Sequence, residues 1–139
     1  MHNGWLKDFG EELFNYTDVN FRTSGYKIDE TNFILDPQTK KQIIFIFKEA
    51  MNNCAKYANS KKVILRLDSN VSYSTLELKD DGIGFDIQSG GKGRGLKNMK
   101  NRAKKIGAEL KISSTLDKGT TILLSRIPHL RDINSFKDV

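Results

Sequence analysis

Apolar residues recur at helical spacing in three parts of the chain. The segments are residues 4–15, 37–58 and 95–106. Asp36 and Pro37 place an N-cap acid before a first-turn proline, which predicts where the second helix starts. Gly107 is a stop signal for the third helix. The expected buried stripe of the second helix consists of Ile43, Phe47, Ala50, Met51, Cys54 and Ala58.

Alternating apolar residues predict strands between these helices. The alternation covers residues 19–23, 63–67 and 76–78, and residues 110–115 and 120–127 are predicted to form a last pair of strands. Turns at Asn70–Ser72 and Asp117–Gly119 join the last four segments into two hairpins. Adjacent hairpins predict a mixed, mostly antiparallel sheet with helices packed on one face, which is an α/β (α+β) two-layer sandwich.

Composition narrows the class of protein. The chain has 139 residues, of which 37% are hydrophobic and 29% charged, as expected for one globular domain with a core. The apolar runs are too short to span a membrane. The single cysteine, Cys54, cannot form an internal disulfide, and its place in the apolar stripe favours a small core residue over a nucleophile. These features suit the cytoplasm.

The net charge of +6 is compatible with nucleic acid or with a smaller anionic ligand. Much of this charge lies in residues 92–105. Aromatic side chains are not interleaved with these basic residues, so a stacking platform for single strands is not expected. A solvated helix face accounts for most of them, and we expect no direct nucleic-acid partner.

Glu49, Asn53, Lys56 and Tyr57 share one face of the second predicted helix, directed away from its apolar stripe. Glu49 could polarise a nucleophile, and Asn53 offers a neutral oxygen suited to Mg²⁺. Lys56 could offset phosphate charge. The alternative is a solvated face with a Glu–Lys pair, which the spacing alone favours.

Asp80 has the strand parity of Leu76 and Leu78 and should therefore point inward. A buried carboxylate needs a hydrogen-bond donor, which a ligand with an exocyclic amine such as adenine would supply. Gly82 and Gly84 would let the backbone turn sharply beside a flat ligand. The alternative is a strand end followed by an ordinary glycine turn.

A third cluster, Gly90–Leu96, opens the third predicted helix with four glycines. The N–H groups of a helix N-terminus bind phosphate, and glycines allow a close approach. The segment is neither a Walker A loop nor a dinucleotide fingerprint. The alternative is a flexible surface loop.

In this order, the clusters resemble the motifs of the family that unites DNA gyrase, Hsp90, histidine kinases and MutL. Glu49–Ala58 resembles its N box, Asp80–Gly84 its first glycine box, Gly93–Ala103 its second and Lys118–Thr121 its final Gly-Thr element. The resemblance covers roughly residues 37–128. It implies the Bergerat fold, in which ATP lies between the helix layer and a lid, here the short segment Ile87–Lys92.

The resemblance also implies roles for individual residues. Asp80 would bind the adenine amino group, Asn53 would bind Mg²⁺, and Glu49 would activate the phosphoryl acceptor. The remaining nucleotide-binding residues would be Lys56, Tyr57, Gly82, Gly84, Gly93, Arg94, Gly95, Leu96 and Thr120. Two residues depart from the pattern of the histidine kinases that the chain resembles most. Tyr57 stands where these kinases usually have histidine, and Asp81 stands where asparagine is common.

Within the family, the Glu-Ala-x-x-Asn-x-x-Lys pattern and the short lid resemble histidine kinases that are paired with helix-turn-helix response regulators. This resemblance implies transfer of the ATP γ-phosphoryl to a histidine on a dimerisation domain. We expect residues 1–16 to belong to the dimerisation region, 17–128 to form the catalytic domain and 129–139 to be a polar tail. Neither His2 nor His129 has a suitable setting, so the acceptor histidine is expected elsewhere in the parent kinase. A membrane anchor in the parent kinase is compatible with the sequence.

Three alternatives belong to other functional classes. A nucleotide-gated switch, as in chaperones or mismatch-repair proteins, would keep ATP binding without histidine transfer. Among enzymes, the nearer alternative is a relative that phosphorylates serine on an anti-anti-sigma factor. A basic nucleic-acid-binding module would show salt-sensitive DNA affinity and no response to ATP.

Overall fold

The computed structural model describes residues 4–25, 35–70, 72–87 and 95–129. Its elements are α1 (Trp5–Phe14), β1 (Asn20–Ser24), α2 (Pro37–Asn53), β2 (Lys62–Ser69), β3 (Tyr73–Asp80), α3 (Leu96–Lys105), β4 (Glu109–Thr115) and β5 (Gly119–Pro128). A π-helical turn, Cys54–Ala58, extends α2 without a break. The predicted order of helices, strand and hairpins is confirmed. Residues 88–94, which contain most of the expected lid together with Gly93 and Arg94, lie outside the described residues, as do His2 and the tail beyond His129.

The five strands form one sheet in the order β1-β2-β3-β5-β4. β1 and β2 run parallel, and the other neighbours are antiparallel. The sheet is therefore mixed and mostly antiparallel, as predicted. The central β3–β5 pairing joins the two hairpins, so residues distant in sequence meet in the middle of the sheet.

The core lies between one face of the sheet and the helices. The helical side contributes Leu6, Phe14, Ile43, Ile46, Phe47, Ala50, Met51, Met99 and Ala103, and the sheet contributes Val63, Leu65, Leu67, Leu76, Leu78, Ile122, Leu124 and Ile127. The other face carries charged side chains such as Arg66, whose guanidinium lies 3.6 Å from carboxylate oxygens of Asp68 and Glu77. None of the helices in the described ranges is long and apolar enough to cross a membrane.

The start of α2 follows from local chemistry. The Asp36 side chain accepts hydrogen bonds from the backbone N–H groups of Gln38 at 3.0 Å and Thr39 at 3.3 Å, and so satisfies two donors that the helix leaves free. The predicted extent to Ala58 is confirmed, but the last five residues are π-helical rather than α-helical. Such turns occur frequently at functional sites. Asn59, in the left-handed conformation at φ 48°, ends the segment.

β5 contains one irregularity at the end that leads to Pro128. Leu124 pairs with Leu76, whereas Ile127 pairs with Ser74, so β5 has one more residue than β3 over this stretch. Arg126 adopts a positive φ of 56° within this β-bulge. As a result, Leu124 and Ile127 are both fully buried, although Ile127 comes three residues after Leu124 and an odd spacing in a regular strand would place them on opposite faces. The strand predicted over 120–127 is therefore confirmed, and the bulge shifts its alternation of buried side chains by one residue.

Candidate functional site

A cleft that is open to solvent lies between the end of α2 and the sheet. Its lining combines predicted site residues with apolar ones: Ala50, Asn53, Cys54, Tyr57, Ala58, Leu78, Asp80, Gly84, Phe85, Leu96, Thr120 and Ile122. Five of the predicted nucleotide-binding residues besides Asn53 therefore meet in one cavity. They are Tyr57, Asp80, Gly84, Leu96 and Thr120.

The floor of the cleft consists of two cross-strand pairs. Asp80 at the end of β3 is the register partner of Thr120 at the start of β5, and Leu78 is the partner of Ile122. Register partners in an antiparallel pair point to the same face, so all four side chains are directed toward the helices. The floor thus has an apolar part and a polar end.

Asp80 supplies the charge at this polar end. Its side chain points inward, as its parity predicts, and the residue is 5% exposed. The backbone N–H of Gly82 donates to Asp80 Oδ1 at 2.8 Å, and Cys54 Sγ donates to Oδ2 at 3.4 Å. A carboxylate has about four acceptor positions. Asp80 can therefore accept a further hydrogen bond from a ligand in the cleft.

Cys54 has a place that the sequence did not reveal. It belongs to the buried core, as predicted, but its thiol also lines the cleft and contacts Asp80. Burial, with the adjacent Asp80 carboxylate as a second cause, raises the pKa of the Cys54 thiol well above its usual range. The group therefore stays a neutral thiol and is not an activated nucleophile.

The turn after β3 packs tightly against the end of the π-helical segment. The backbone N–H of Ile83 donates to the carbonyl oxygen of Ala58 at 2.8 Å. A Cβ at Gly82 would overlap this same carbonyl oxygen, so the close approach requires glycine. Gly82 therefore contributes to the site by letting the turn reach the helix end, although it does not line the cleft.

Asp81 points away from the cleft and holds a neighbouring loop. Its Oδ1 accepts hydrogen bonds from the backbone N–H groups of Lys61 and Lys62, each at 2.9 Å. The Lys62 bond is the main reason why the pKa of Asp81 is lowered. The carboxylate is exposed and stabilises the backbone at the start of β2.

The tip of the β4–β5 hairpin closes one side of the cleft. The backbone N–H of Phe85 donates to Ser114 Oγ at 2.8 Å, and Ser114 Oγ lies 2.8 Å from Thr120 Oγ1. The backbone N–H of Asp117 donates to the carbonyl oxygen of Ile83 at 2.6 Å. Phe85 and Ser114 were not predicted as site residues, because nothing in the local pattern connects two segments so far apart in sequence.

Glu49 lies in a separate pocket beside the cleft. This pocket is lined by Phe45, Glu49, Asn98, Met99 and Arg102. A Cβ at Gly95, which has a φ of 70°, would lie only 2.5 Å from Glu49 Oε1. The start of α3 therefore packs directly on the Glu49 side chain, and the glycine permits this contact.

The expected common face of α2 is thus partly wrong. Asn53 and Tyr57 line the cleft together with the stripe residues Ala50, Cys54 and Ala58, instead of pointing away from them. Glu49 lies in the neighbouring pocket, and Lys56 is exposed outside the cleft lining. The reason is geometric, because a concave cleft at the helix end contacts more than one row of side chains.

The described residues contain no group of three His, Cys, Asp or Glu side chains that could hold a metal ion by themselves. Asn53, whose side-chain amide offers one neutral oxygen, nevertheless lines the cleft. This donor set fits Mg²⁺, which commonly takes one or two protein oxygens and completes its shell with water and substrate phosphates.

The family model described as histidine kinase-, DNA gyrase B- and HSP90-like ATPase matches residues 38–131. The chain belongs to this family of ATP-binding domains. Its fold and its cleft agree with this membership, since Asn53 and Tyr57 of the N-box segment line one cleft with Asp80 and Gly84 of the first glycine-box segment.

Two named relatives and one solved structure narrow the comparison. The sensor histidine kinase YhcY of Bacillus subtilis is 32% identical over 97 residues, which cover 68% of this chain and 25% of that protein. The sensor protein VraS of Staphylococcus epidermidis is 36% identical over 94 residues, covering 67% of this chain and 27% of that protein. The catalytic domain of the histidine kinase ThkA superposes with a TM-score of 0.68 at 12% identity, over 88% of this chain and 86% of that one. The chain therefore spans about a quarter of these sensor proteins and has the fold of a histidine kinase catalytic domain.

Proposed function

We propose that this chain is the catalytic domain of a sensor histidine kinase and donates the γ-phosphoryl group of ATP to a histidine on a separate dimerisation domain. The proposal rests above all on Asp80, a buried carboxylate directed into a cleft whose other walls are mostly apolar. An adenine ring matches this combination, because it is flat, largely apolar and carries an exocyclic amine.

In this proposal the cleft recognises the nucleobase. The adenine amine donates to Asp80, and the ring lies against Leu78 and Ile122, the apolar part of the floor. Thr120, Leu96 and Gly84 border the same space. A Cβ at Gly84 would overlap the carbonyl oxygen of Thr115, so the glycine lets this turn pack against the β4–β5 hairpin. The motif residues Gly93 and Arg94 would add contacts from the segment before α3.

The triphosphate would extend from the nucleobase toward Asn53 and Tyr57. Asn53 would hold Mg²⁺ through its amide oxygen, and the metal, when bound, neutralises phosphate charge. Lys56, exposed beside them, would approach the phosphates from solvent. Tyr57 offers a phenol where the closest group usually has an imidazole, so it would act as a hydrogen-bonding group without a positive charge.

Glu49 would act on the acceptor rather than on the nucleotide. Its pocket is next to the cleft but distinct from it, which suits a residue that meets a second macromolecule. A carboxylate there can accept a hydrogen bond from the acceptor imidazole and so orient it for attack. Gly95 packs against this side chain and limits the positions that it can adopt.

The proposed partners are the dimerisation domain of the parent kinase and a downstream response regulator of the helix-turn-helix type, in the cytoplasm. The motif pattern supports this pairing. Residues 1–16 would connect to the dimerisation region, and α1 within them packs on the domain through the buried side chains of Leu6 and Phe14.

Transfer of radiolabelled phosphate tests the proposal. The chain is incubated with γ-labelled ATP, alone and with the dimerisation hairpin of its parent kinase as a separate piece, and acid lability identifies phosphohistidine. We expect slow labelling of the hairpin and none of the chain itself, because the acceptor must meet the donor in a bimolecular encounter.

Glu49→Gln supplies the second arm of this experiment. It should slow transfer with little change in ATP affinity, while Glu109→Gln, an exposed acid on β4, should change neither. Strong labelling of the chain alone would contradict a separate acceptor. ATP binding without any labelling of the hairpin would favour a nucleotide-gated switch instead.

A further inference from the structure

The Asp80 carboxylate is held by two donors on its two different oxygens. Gly82 N–H lies 2.8 Å from Oδ1, and the Cys54 thiol lies 3.4 Å from Oδ2. The first donor belongs to the turn that follows β3, and the second to the π-helical end of α2. The carboxylate is therefore fixed between the sheet and the helix layer.

This double contact restricts a torsion that is otherwise soft. The terminal torsion of an aspartate has a broad, roughly two-fold profile, so one contact alone leaves the carboxylate plane free to rotate. Donors on both oxygens set that plane. Further acceptor capacity remains, and the cleft is the open space beside it.

The Cys54 thiol keeps its proton and therefore stays a hydrogen-bond donor to Asp80. Cys54 is 6% exposed, and its burial together with the Asp80 charge raises the pKa of the thiol well above its usual range. It therefore keeps its proton at physiological pH. A thiolate would also place a second negative charge beside a buried carboxylate, which low-dielectric surroundings disfavour.

We propose that Cys54 is a positioning residue for nucleobase recognition, whose S–H group orients the Asp80 carboxylate toward the exocyclic amine of a 6-aminopurine. This inference rests on the proposed function, because it assigns the amine to Asp80. It concerns selectivity for the amine and not affinity in general. A cysteine that merely fills space in the core would contribute equally to the binding of any purine.

Calorimetric titration with two diphosphates separates these roles. One ligand is ADP, and the other is purine riboside diphosphate, which lacks the 6-amino group. For wild type we expect tighter binding of ADP. In Cys54→Ala the carboxylate loses the donor that orients it, so the affinity for ADP should fall by up to about tenfold, the effect of the hydrogen bond that Asp80 makes to the amine, and the affinity for the amine-free analogue should stay the same.

Three further variants complete the design. Cys54→Ser keeps a donor and should retain the preference for ADP, whereas Cys54→Val fills the space without a donor and should lose it. Ile122→Val trims the apolar floor of the cleft without removing a donor to Asp80 and should change both affinities alike. Thermal unfolding checks that each variant is folded. If Cys54→Ala does not fold, the comparison of ADP and the amine-free analogue in Cys54→Val tests the role of the donor.

The outcomes distinguish the two levels of the proposal. If wild type binds neither diphosphate, or binds both equally, assignment of the amine to Asp80 fails, and the role of Cys54 fails with it. If wild type prefers ADP and the donor-free variants keep that preference, only the role of Cys54 is overturned. Equal loss of both ligands in the alanine and valine variants would likewise reduce Cys54 to a packing residue.

Discussion

Asp80 and Thr120 face each other as register partners across β3 and β5, at the end of the sheet where the cleft opens. Asp80 is the last residue of β3, in the first hairpin, and Thr120 lies at the start of β5, in the second hairpin. The polar end of the floor therefore forms only when the two hairpins pair, so formation of the sheet and formation of the site are one event.

Asp80→Asn is expected to lower ATP and ADP affinity by about 10- to 100-fold, because a charged acceptor in a buried place is replaced by a neutral amide. Calorimetric titration measures this. Asp81→Asn is the matched control, since the adjacent carboxylate points to Lys61 and Lys62 and not into the cleft. Unchanged affinity in Asp80→Asn would remove this residue from the nucleotide site.

Asn53→Ala should weaken Mg-ATP binding by about tenfold while leaving metal-free adenosine binding nearly intact, because the amide oxygen would hold the metal and not the base. Titrations with both ligands make the comparison. Asn52→Ala removes the neighbouring amide, which does not line the cleft, and serves as the control. Equal losses for both ligands would show that the substitution damages the fold instead.

Gly82→Ala should destabilise the domain by about 1–3 kcal/mol, because the added methyl overlaps the carbonyl oxygen of Ala58 and must push the turn away. Urea unfolding measures the loss. Gly107→Asn is the contrast, since nothing lies within 4 Å of its Cβ position and asparagine tolerates its φ of 68°. A Gly82→Ala protein as stable as wild type would contradict the tight packing of this turn.

The lowered pKa of Asp81 predicts a dependence of stability on acid. A depressed folded-state pKa means that the stabilisation is present above the unfolded value of about 3.9 and is lost as pH falls through the folded pKa. The Asp81→Asn protein should therefore be less stable than wild type at neutral pH, by less than about 1 kcal/mol since the group is exposed.

This difference in unfolding free energy should shrink as pH falls from about 5 to about 2. Urea unfolding across that range tests it, with Asp18→Asn, an exposed acid before β1, as the control. A difference that stays constant with pH would exclude ionisation of the Asp81 carboxylate as its source.

The features that could be predicted from the sequence are those with a local physical cause. The start of α2 at Asp36 followed from cap chemistry, and the inward direction of Asp80 followed from the period of the strand. The order of elements was also predictable, because turn signals separate the alternating segments.

Other features depend on contacts that local patterns do not encode. The parallel pairing of β1 with β2 and the central β3–β5 pairing join segments that are distant in sequence. Apolar periodicity indicates that Cys54 is buried, but it cannot distinguish a core position from a cleft wall. The π-helical turn was missed because Cys54–Ala58 are equally compatible with a regular α-helix.

The β-bulge at Arg126 has a consequence for how the length of this domain can change during evolution. β5 already accommodates one additional residue there, and the pairing from Leu124 to Thr120 remains regular. A single-residue insertion nearer the cleft would instead rotate Thr120 to the opposite face, because side chains alternate along a strand. We therefore expect insertions and deletions among homologues to be tolerated at the Arg126 end of β5 and eliminated by selection at the Thr120 end.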